Sequence, residues 1–112
     1  MLRRAVVIDT LIDESHFIVS TRCCRHCGRM YLWIFTEQVD WADSDDPQAW
    51  MCVPLELPEI DLLRTQARSA PVDEAFLLGL GIRRRMLTRR CPKGAPETIA
   101  WAVRDLCILP HD

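Results

Sequence analysis

Short runs in which apolar and polar residues alternate occur at both ends of the chain and predict β-strands there. Near the N-terminus, 3–13 is rich in Val, Ile and Leu, and 16–22 alternates with a period of two. The short polar side chains of Asp13-Glu14-Ser15 are typical of a turn, so these two runs predict a hairpin. A third strand, rich in aromatic residues, is predicted over 29–36.

The middle of the chain has the longer period of amphipathic helices. A helix is predicted over 58–69, where one face collects the apolar residues Ile60, Leu63 and Ala67. Pro58 suits the first position of this helix, because its missing N–H is not needed there. A second, shorter helix is predicted to begin at Pro71, with Gly79 and Gly81 as its C-terminal stop.

The remaining segments extend the predicted sheet. We expect a short strand over 49–54 and two longer strands over 82–90 and 98–106, the last two joined by a turn at 91–96. Strands followed by helices and then by strands indicate an α+β fold rather than a regular βαβ winding. The sequence therefore predicts one domain over 1–112, with an antiparallel sheet of about five strands from both ends of the chain and one or two central helices.

Composition narrows the classes of protein that fit this pattern. The chain has 49% hydrophobic and 27% charged residues, which is ordinary for a globular domain. No apolar run approaches the roughly 18 residues of a membrane helix, and the first residues lack a signal-peptide cleavage pattern. We therefore expect a cytoplasmic protein. A net charge of −2 argues against a generally cationic nucleic-acid binder.

The run Cys24-Arg25-His26-Cys27-Gly28 carries the strongest chemical signal in the sequence. Two thiolates at this spacing can bind one tetrahedral Zn²⁺ at about 2.3 Å each, with backbone N–H groups of the turn directed at sulfur. A glycine directly after the second cysteine suits a tight turn that leads into a strand. This pattern predicts a zinc-ribbon-like knuckle with zinc as its cofactor.

Four ligands are needed for a closed zinc site, and the chain has no second Cys-x-x-Cys pair. Cys52 and Cys91 are our candidates for the missing ligands, with Cys107, His16 and His111 as further isolated residues. A second copy of the chain can also complete the site, which would make the protein a homodimer. The competing interpretation takes some of the six cysteines as small buried hydrophobic residues, namely Cys23, Cys52 and Cys107.

The Cys-x-x-Cys pair also occurs at the active sites of thiol–disulfide oxidoreductases. In those sites the first cysteine lies at a helix N-terminus, whose dipole lowers the pKa of the thiol. A helix must then follow the motif, but 28–36 has the composition of a strand. Thiol–disulfide exchange through Cys24 and Cys27 is therefore the alternative rather than the leading hypothesis.

Charge is strongly segregated along the chain. The stretch 30–63 holds eight acidic residues and no Lys or Arg, whereas 75–96 holds six basic residues and no acid. Such a separation is typical of two solvated faces, or of two surfaces that bind a partner. The candidate partner-binding residues are Asp40, Asp43, Asp45 and Asp46 in the acidic loop and Arg83, Arg85 and Arg89 in the basic segment.

A protein partner fits this pattern better than nucleic acid. The basic segment 83–93 contains few interleaved aromatic residues on which bases could stack, and the whole chain is slightly acidic. Binding of nucleic acid through this segment is kept as an alternative that predicts a steep dependence on salt.

Several motifs over 24–63 resemble those of a set of short, uncharacterised bacterial proteins. The similarity rests on the knuckle and on the motifs that follow it, Phe35-Thr36-Glu37, Asp40-Trp41, Asp46-Pro47-Gln48 and Val53-Pro54-Leu55. The resemblance implies a bacterial cytosolic protein with a zinc-ribbon-like turn, and it implies no activity. The knuckle is also similar to those of zinc ribbons.

No set of residues in the sequence identifies a catalytic centre, since the spatial arrangement of Ser, His and Asp is invisible at this level. The sequence therefore favours a non-enzymatic binding or adaptor module. In this module Cys24 and Cys27 fasten the knuckle, with or without a metal, and the acidic loop contacts a partner.

Overall fold

The computed structural model describes residues 5–38, 46–109 and 111. In chain order its elements are β1 (Ala5–Glu14), β2 (Phe17–Cys24), β3 (Met30–Glu37), β4 (Gln48–Pro54), α1 (Leu57–Ser69), α2 (Glu74–Leu80), β5 (Arg84–Cys91) and β6 (Thr98–Arg104). All six strands form one sheet in the order β1-β2-β3-β4-β5-β6, and every neighbouring pair is antiparallel. The prediction of an α+β fold is confirmed.

The predicted number of about five strands is wrong, because the described residues already form a sheet of six. The segment expected to be a short strand is β4, a central strand that pairs along its length with β3 and over five residues with β5. The helices α1 and α2 form the connection between β4 and β5, which are nonetheless neighbours in the sheet.

Both helices pack against one face of the sheet. Since successive side chains of a strand point to opposite faces, alternate residues of β2, β3 and β4 reach this side. The main core joins them to the buried residues of the helices: Phe17, Val19, Leu32, Ile34, Met51, Val53, Ile60, Leu63 and Leu77. Thirteen residues make α1 the longer helix, and no helix in the described part of the chain is long and apolar enough to cross a membrane.

Local chemistry fixes the ends of the helices. At the start of α1, the backbone N–H of Glu56 donates to the Glu59 carboxylate at 2.8 Å. At the start of α2, the Asp73 carboxylate accepts a hydrogen bond from the backbone N–H of Phe76 at 2.9 Å, as an N-cap residue does. Of the two glycines predicted to stop this helix, Gly81 is its C-cap, whereas Gly79 lies within the helix, which begins at Glu74 rather than at Pro71.

The other face of the sheet carries a second, smaller core cluster made only of strand residues: Cys24, Tyr31, Cys52, Leu87 and the half-buried Trp33. Within the described residues, neither helix contributes to this cluster. We call this side of the sheet the open face. Its side chains include Arg22, Tyr31, Trp33, Phe35, Trp50, Arg85, Leu87, Arg89 and Trp101.

Candidate functional site

The knuckle lies in the turn between β2 and β3. The backbone N–H of Cys24 donates to the carbonyl of Arg29 at 2.9 Å, and the N–H of Gly28 donates back to the carbonyl of Cys24 at 2.8 Å. Gly28 has a φ of 75°, a left-handed conformation that glycine adopts without a steric penalty. The chain then continues into β3, so a strand and not a helix follows the motif.

The two thiols of the knuckle lie in different environments. Cys24 is buried and Cys27 is exposed. The Cys24 sulfur accepts hydrogen bonds from the backbone N–H groups of Cys27 and His26 and from the Cys27 thiol, and these bonds lower the pKa of Cys24. The turn therefore directs backbone N–H groups at the first sulfur, and it places the second sulfur beside it.

The other cysteines predicted to be ligands lie in separate places. Cys52 is buried in the same small cluster as Cys24, and burial raises its pKa to about 12, so its thiol is neutral. Cys91 lies opposite Gln48 in the strand register, at the other end of the sheet from the knuckle. No group of three or more His, Cys, Asp or Glu side chains that could hold a metal ion occurs among the described residues.

Of the three cysteines that the competing interpretation takes as buried, Cys52 is buried, whereas Cys23 and Cys107 are not fully enclosed. The Cys23 thiol is half-buried and donates to the carbonyl oxygen of Gly28 at 3.5 Å, which ties it to the backbone of the knuckle. Cys107 is exposed after β6.

Arginines lie over tryptophan rings at three places on the open face. The guanidinium of Arg22 is 4.1 Å from the centre of the Trp33 ring. The corresponding distances are 4.7 Å for Arg89 over Trp50 and 5.2 Å for Arg85 over Trp101. All three are within the range of a cation–π interaction.

The sheet register explains why these residues meet. Backbone pairing aligns Trp33, Cys52, Leu87 and Trp101 in one row across four strands. The next row places Phe35 beside Trp50, with their ring centres 5.3 Å apart, and Trp50 beside Arg89. The aromatic rings thus come from β3, β4 and β6, and two of the three arginines come from β5.

A cleft of about 630 Å³ opens where the knuckle meets this face, lined by residues that include Cys27, Tyr31, Arg85 and Trp101. Tyr31 is buried in the wall of the cleft. Burial raises its pKa, and the neighbouring Cys27, Cys52 and Cys24 thiols raise it further.

Two other arginines of the cleft are held by partners. Arg84 donates to the Glu59 carboxylate and to the carbonyl of Pro54, which ties β5 to the start of α1. Arg29 forms an ion pair of 3.0 Å with Glu56. By contrast, Arg85 is exposed and forms no ion pair with any described residue, although the Glu56 carboxylate, which pairs with Arg29, also lines the cleft.

The predicted partner-binding residues lie in three places: the acidic loop before β4, the turn before β5, and the open face. Asp40, Asp43 and Asp45 lie outside the described residues, and Asp46 is half-buried just before β4. Arg83 lies in the turn before β5 with a φ of 50°, and its backbone N–H donates to the Asp105 carboxylate at 2.7 Å.

The third group, Arg85 and Arg89, lies on the open face. Arg89 also donates to the Glu97 carboxylate at 2.6 Å, a contact that lowers the pKa of Glu97.

The aromatic residues of the open face were absent from the predicted site. The basic segment of the sequence contains none of them, because the sheet brings them in from other strands. Their signal was the alternation of Tyr31, Trp33 and Phe35 with Leu32 and Ile34 in the aromatic strand. No family model, curated protein or solved structure matches this chain.

Proposed function

We propose that this chain is a non-enzymatic binding module whose open face binds an acidic segment of a partner protein. The observation that carries the proposal is the set of three arginine–tryptophan contacts on the face that neither described helix covers.

The residue types on this face favour a protein partner. Trp, Tyr and Arg are the residues most enriched at the energetic centres of protein interfaces. A guanidinium that lies over a ring is already oriented, so it loses little entropy when it binds a carboxylate through two N–H groups. Arg85, without an ion pair in the described part of the chain, supplies the most accessible charge.

Thiol–disulfide exchange at the knuckle is the enzymatic alternative. The two N–H bonds to the Cys24 sulfur favour a thiolate, as exchange requires. However, β3 follows the motif, so no helix dipole adds to this effect. The open face presents three arginine–tryptophan contacts, whereas the knuckle presents one pair of thiols. We therefore favour binding of a partner at the open face over thiol–disulfide exchange.

Fluorescence anisotropy of a labelled peptide tests the binding proposal. The probe is a peptide of alternating Asp and Trp, and a labelled single-stranded oligo(dT) of similar length is the comparison. We expect saturable binding of the peptide that weakens as salt rises, because charge contributes to it. Stronger binding of oligo(dT) would favour the nucleic-acid alternative, and binding of neither probe would contradict the proposal.

Two variants assign the binding to the open face. Arg85→Gln removes the guanidinium charge that lies over Trp101 and is expected to weaken peptide binding about tenfold, or about 1.4 kcal/mol. The matched control is Arg64→Gln, which removes the same charge from an exposed position on α1. Equal losses for both variants would mean that only net charge matters.

We also propose that Cys24 and Cys27 hold one Zn²⁺ ion. Support comes from the backbone N–H groups directed at the Cys24 sulfur and from the adjacent Cys27 thiol. Two thiolates fill half of a tetrahedral shell, so other ligands must complete it.

Elemental analysis after purification in reducing buffer tests the zinc proposal, with Cys24→Ser as the variant and Ser69→Ala, at an exposed position on α1, as the control. One zinc per chain indicates a site completed within the chain, and half a zinc indicates two knuckles sharing one ion. No zinc, or equal zinc in both variants, would contradict the proposal.

A further inference from the structure

The strand β6 forms one edge of the sheet, and it is exposed along its whole length. Its seven residues are all exposed, although three of them are large and apolar: Ile99, Trp101 and Val103, with exposed fractions of 58%, 37% and 71%. These three lie on the open face. Within the described residues no strand pairs with the outer side of β6, so a row of its backbone N–H and C=O groups is open to a further strand there.

The strand at the opposite edge of the sheet, β1, has features that prevent another strand from pairing with it. The pairing of β1 with β2 has two irregularities, and β1 carries the acidic residues Asp9, Asp13 and Glu14. Bulges and charges of this kind prevent another strand from adding to an edge. In β6 the register with β5 is continuous, proline is absent, and the single charged residue is the last one, Arg104.

The sequence of β6 has its own symmetry. Read from either end, Thr-Ile-Ala-Trp-Ala-Val-Arg places a β-branched residue, an alanine and then Trp101 in the same order. We propose that β6 pairs with β6 of a second copy of this chain, antiparallel and with a two-fold axis at Trp101.

In this register Ile99 lies opposite Val103 of the partner subunit, and Ala100 lies opposite Ala102 of the partner subunit. Apolar side chains on the open face therefore contact apolar side chains, and small residues meet on the other face. Arg104 lies opposite Thr98 of the partner subunit, so within the strand no like charges oppose each other. A two-fold interface requires such a self-complementary surface.

The pairing creates a continuous sheet of two times six strands in which the two open faces adjoin. Trp101 and the Arg85 guanidinium above it then lie next to the axis. The dimer does not depend on the proposed function, since its test measures assembly and not binding of a peptide.

Sedimentation velocity over a range of protein concentrations, with a chelator and a reductant present, tests the proposal without interference from zinc or disulfides. We expect the unaltered chain to be a dimer. A chain with Ile99→Lys and Val103→Lys, and another with Ile99→Glu and Val103→Glu, are each expected to be monomers. Their equimolar mixture is expected to restore the dimer, because the proposed register sets each introduced lysine opposite an introduced glutamate.

The control is Val7→Lys with Ile8→Lys, two residues of β1 that are each 46% exposed. This control should leave the dimer intact. A monomeric unaltered chain, a dimer that the β6 variants do not alter, or a mixture that stays monomeric although circular dichroism shows both variants folded would each overturn the proposal.

Hydrogen exchange of the unaltered chain gives a second test that needs no variant. The outward amides of β6 are expected to become protected as the dimer forms, and β6 amides that exchange equally fast at all concentrations would overturn it.

Discussion

Individual buried hydroxyl groups affect the free energy of unfolding. The Thr36 hydroxyl is buried and has no hydrogen-bond partner within the described residues. The hydroxyl of Ser20, which is also buried, accepts a hydrogen bond from the Arg22 side chain at 3.3 Å. Among the described residues, the buried Ser20 hydroxyl thus has a partner and the buried Thr36 hydroxyl does not, so removing each should have opposite effects.

Thr36→Val is expected to raise the free energy of unfolding by about 1 kcal/mol, because a methyl group replaces a buried hydroxyl that lacks a partner. Ser20→Ala, the comparison, is expected to lower it by a similar amount. Urea denaturation of both variants measures the effect. A destabilised Thr36→Val protein would mean that the hydroxyl has a partner after all.

The Glu37 carboxylate gives the fold a dependence on pH. Hydrogen bonds from the Gln48 side chain and then from His16 lower its pKa below the ordinary value of 4.5. A carboxylate with a depressed pKa stabilises the folded state above its unfolded pKa, and this contribution is lost as the pH falls through the folded value.

We therefore expect Glu37→Gln to lose about 1 kcal/mol near neutral pH and to approach the stability of the unaltered chain below pH 4.5. Urea midpoints measured from neutral to acidic pH check this, with Glu14→Gln as a control at an exposed carboxylate. A stability difference that stays constant with pH would contradict the assignment.

Among the elements, α2 and the segment after β6 are joined at one close contact. The backbone N–H of Leu106 donates to the carbonyl of Gly81 at 2.7 Å, and the Leu106 side chain packs over the glycine. A Cβ atom at position 81 would come within 2.3 Å of the Leu106 Cβ. The end of α2 therefore requires a glycine because of packing, in addition to its role as a helix stop.

Gly81→Ala is expected to destabilise the fold by about 1–3 kcal/mol, because the new methyl group forces Leu106 from its place. Gly79→Ala is the matched control. It lies within α2 with no atom near the added methyl group, so it is expected to stabilise the helix by about 0.5–1 kcal/mol. Thermal unfolding of the two variants measures both effects, and equal shifts would contradict the packing account.

At the scale of the whole molecule, the sequence predicts elements better than their arrangement. The alternation in β2 and β3 and the helical spacing in α1 are local, so these elements are located to within a residue or two. By contrast, Tyr31 and Trp33 are as apolar as Leu32 and Ile34, so the pattern of β3 does not say which side the helices cover. The pairing of β4 with β5 spans both helices, and only the fold reveals that Trp50 lies beside Arg89.

The candidate site divides in the same way. The Cys24–Cys27 turn is predictable because its spacing and its glycine act locally. The open face cannot be predicted from the sequence in this way, because its arginines and aromatic rings come from five different strands. The charge segregation singles out Arg85 and Arg89, which both lie on the open face, but the sequence does not show that tryptophan rings lie beneath them.

The most direct test of the binding surface is nuclear magnetic resonance of the tryptophan indole N–H groups during titration with the acidic Asp-Trp peptide. If the open face binds the peptide, the signals of Trp33, Trp50 and Trp101 shift together and saturate at one peptide per chain, while amides of the exposed side of α1 stay unchanged. Shifts centred on α1, with the three indole signals unmoved, would contradict the account.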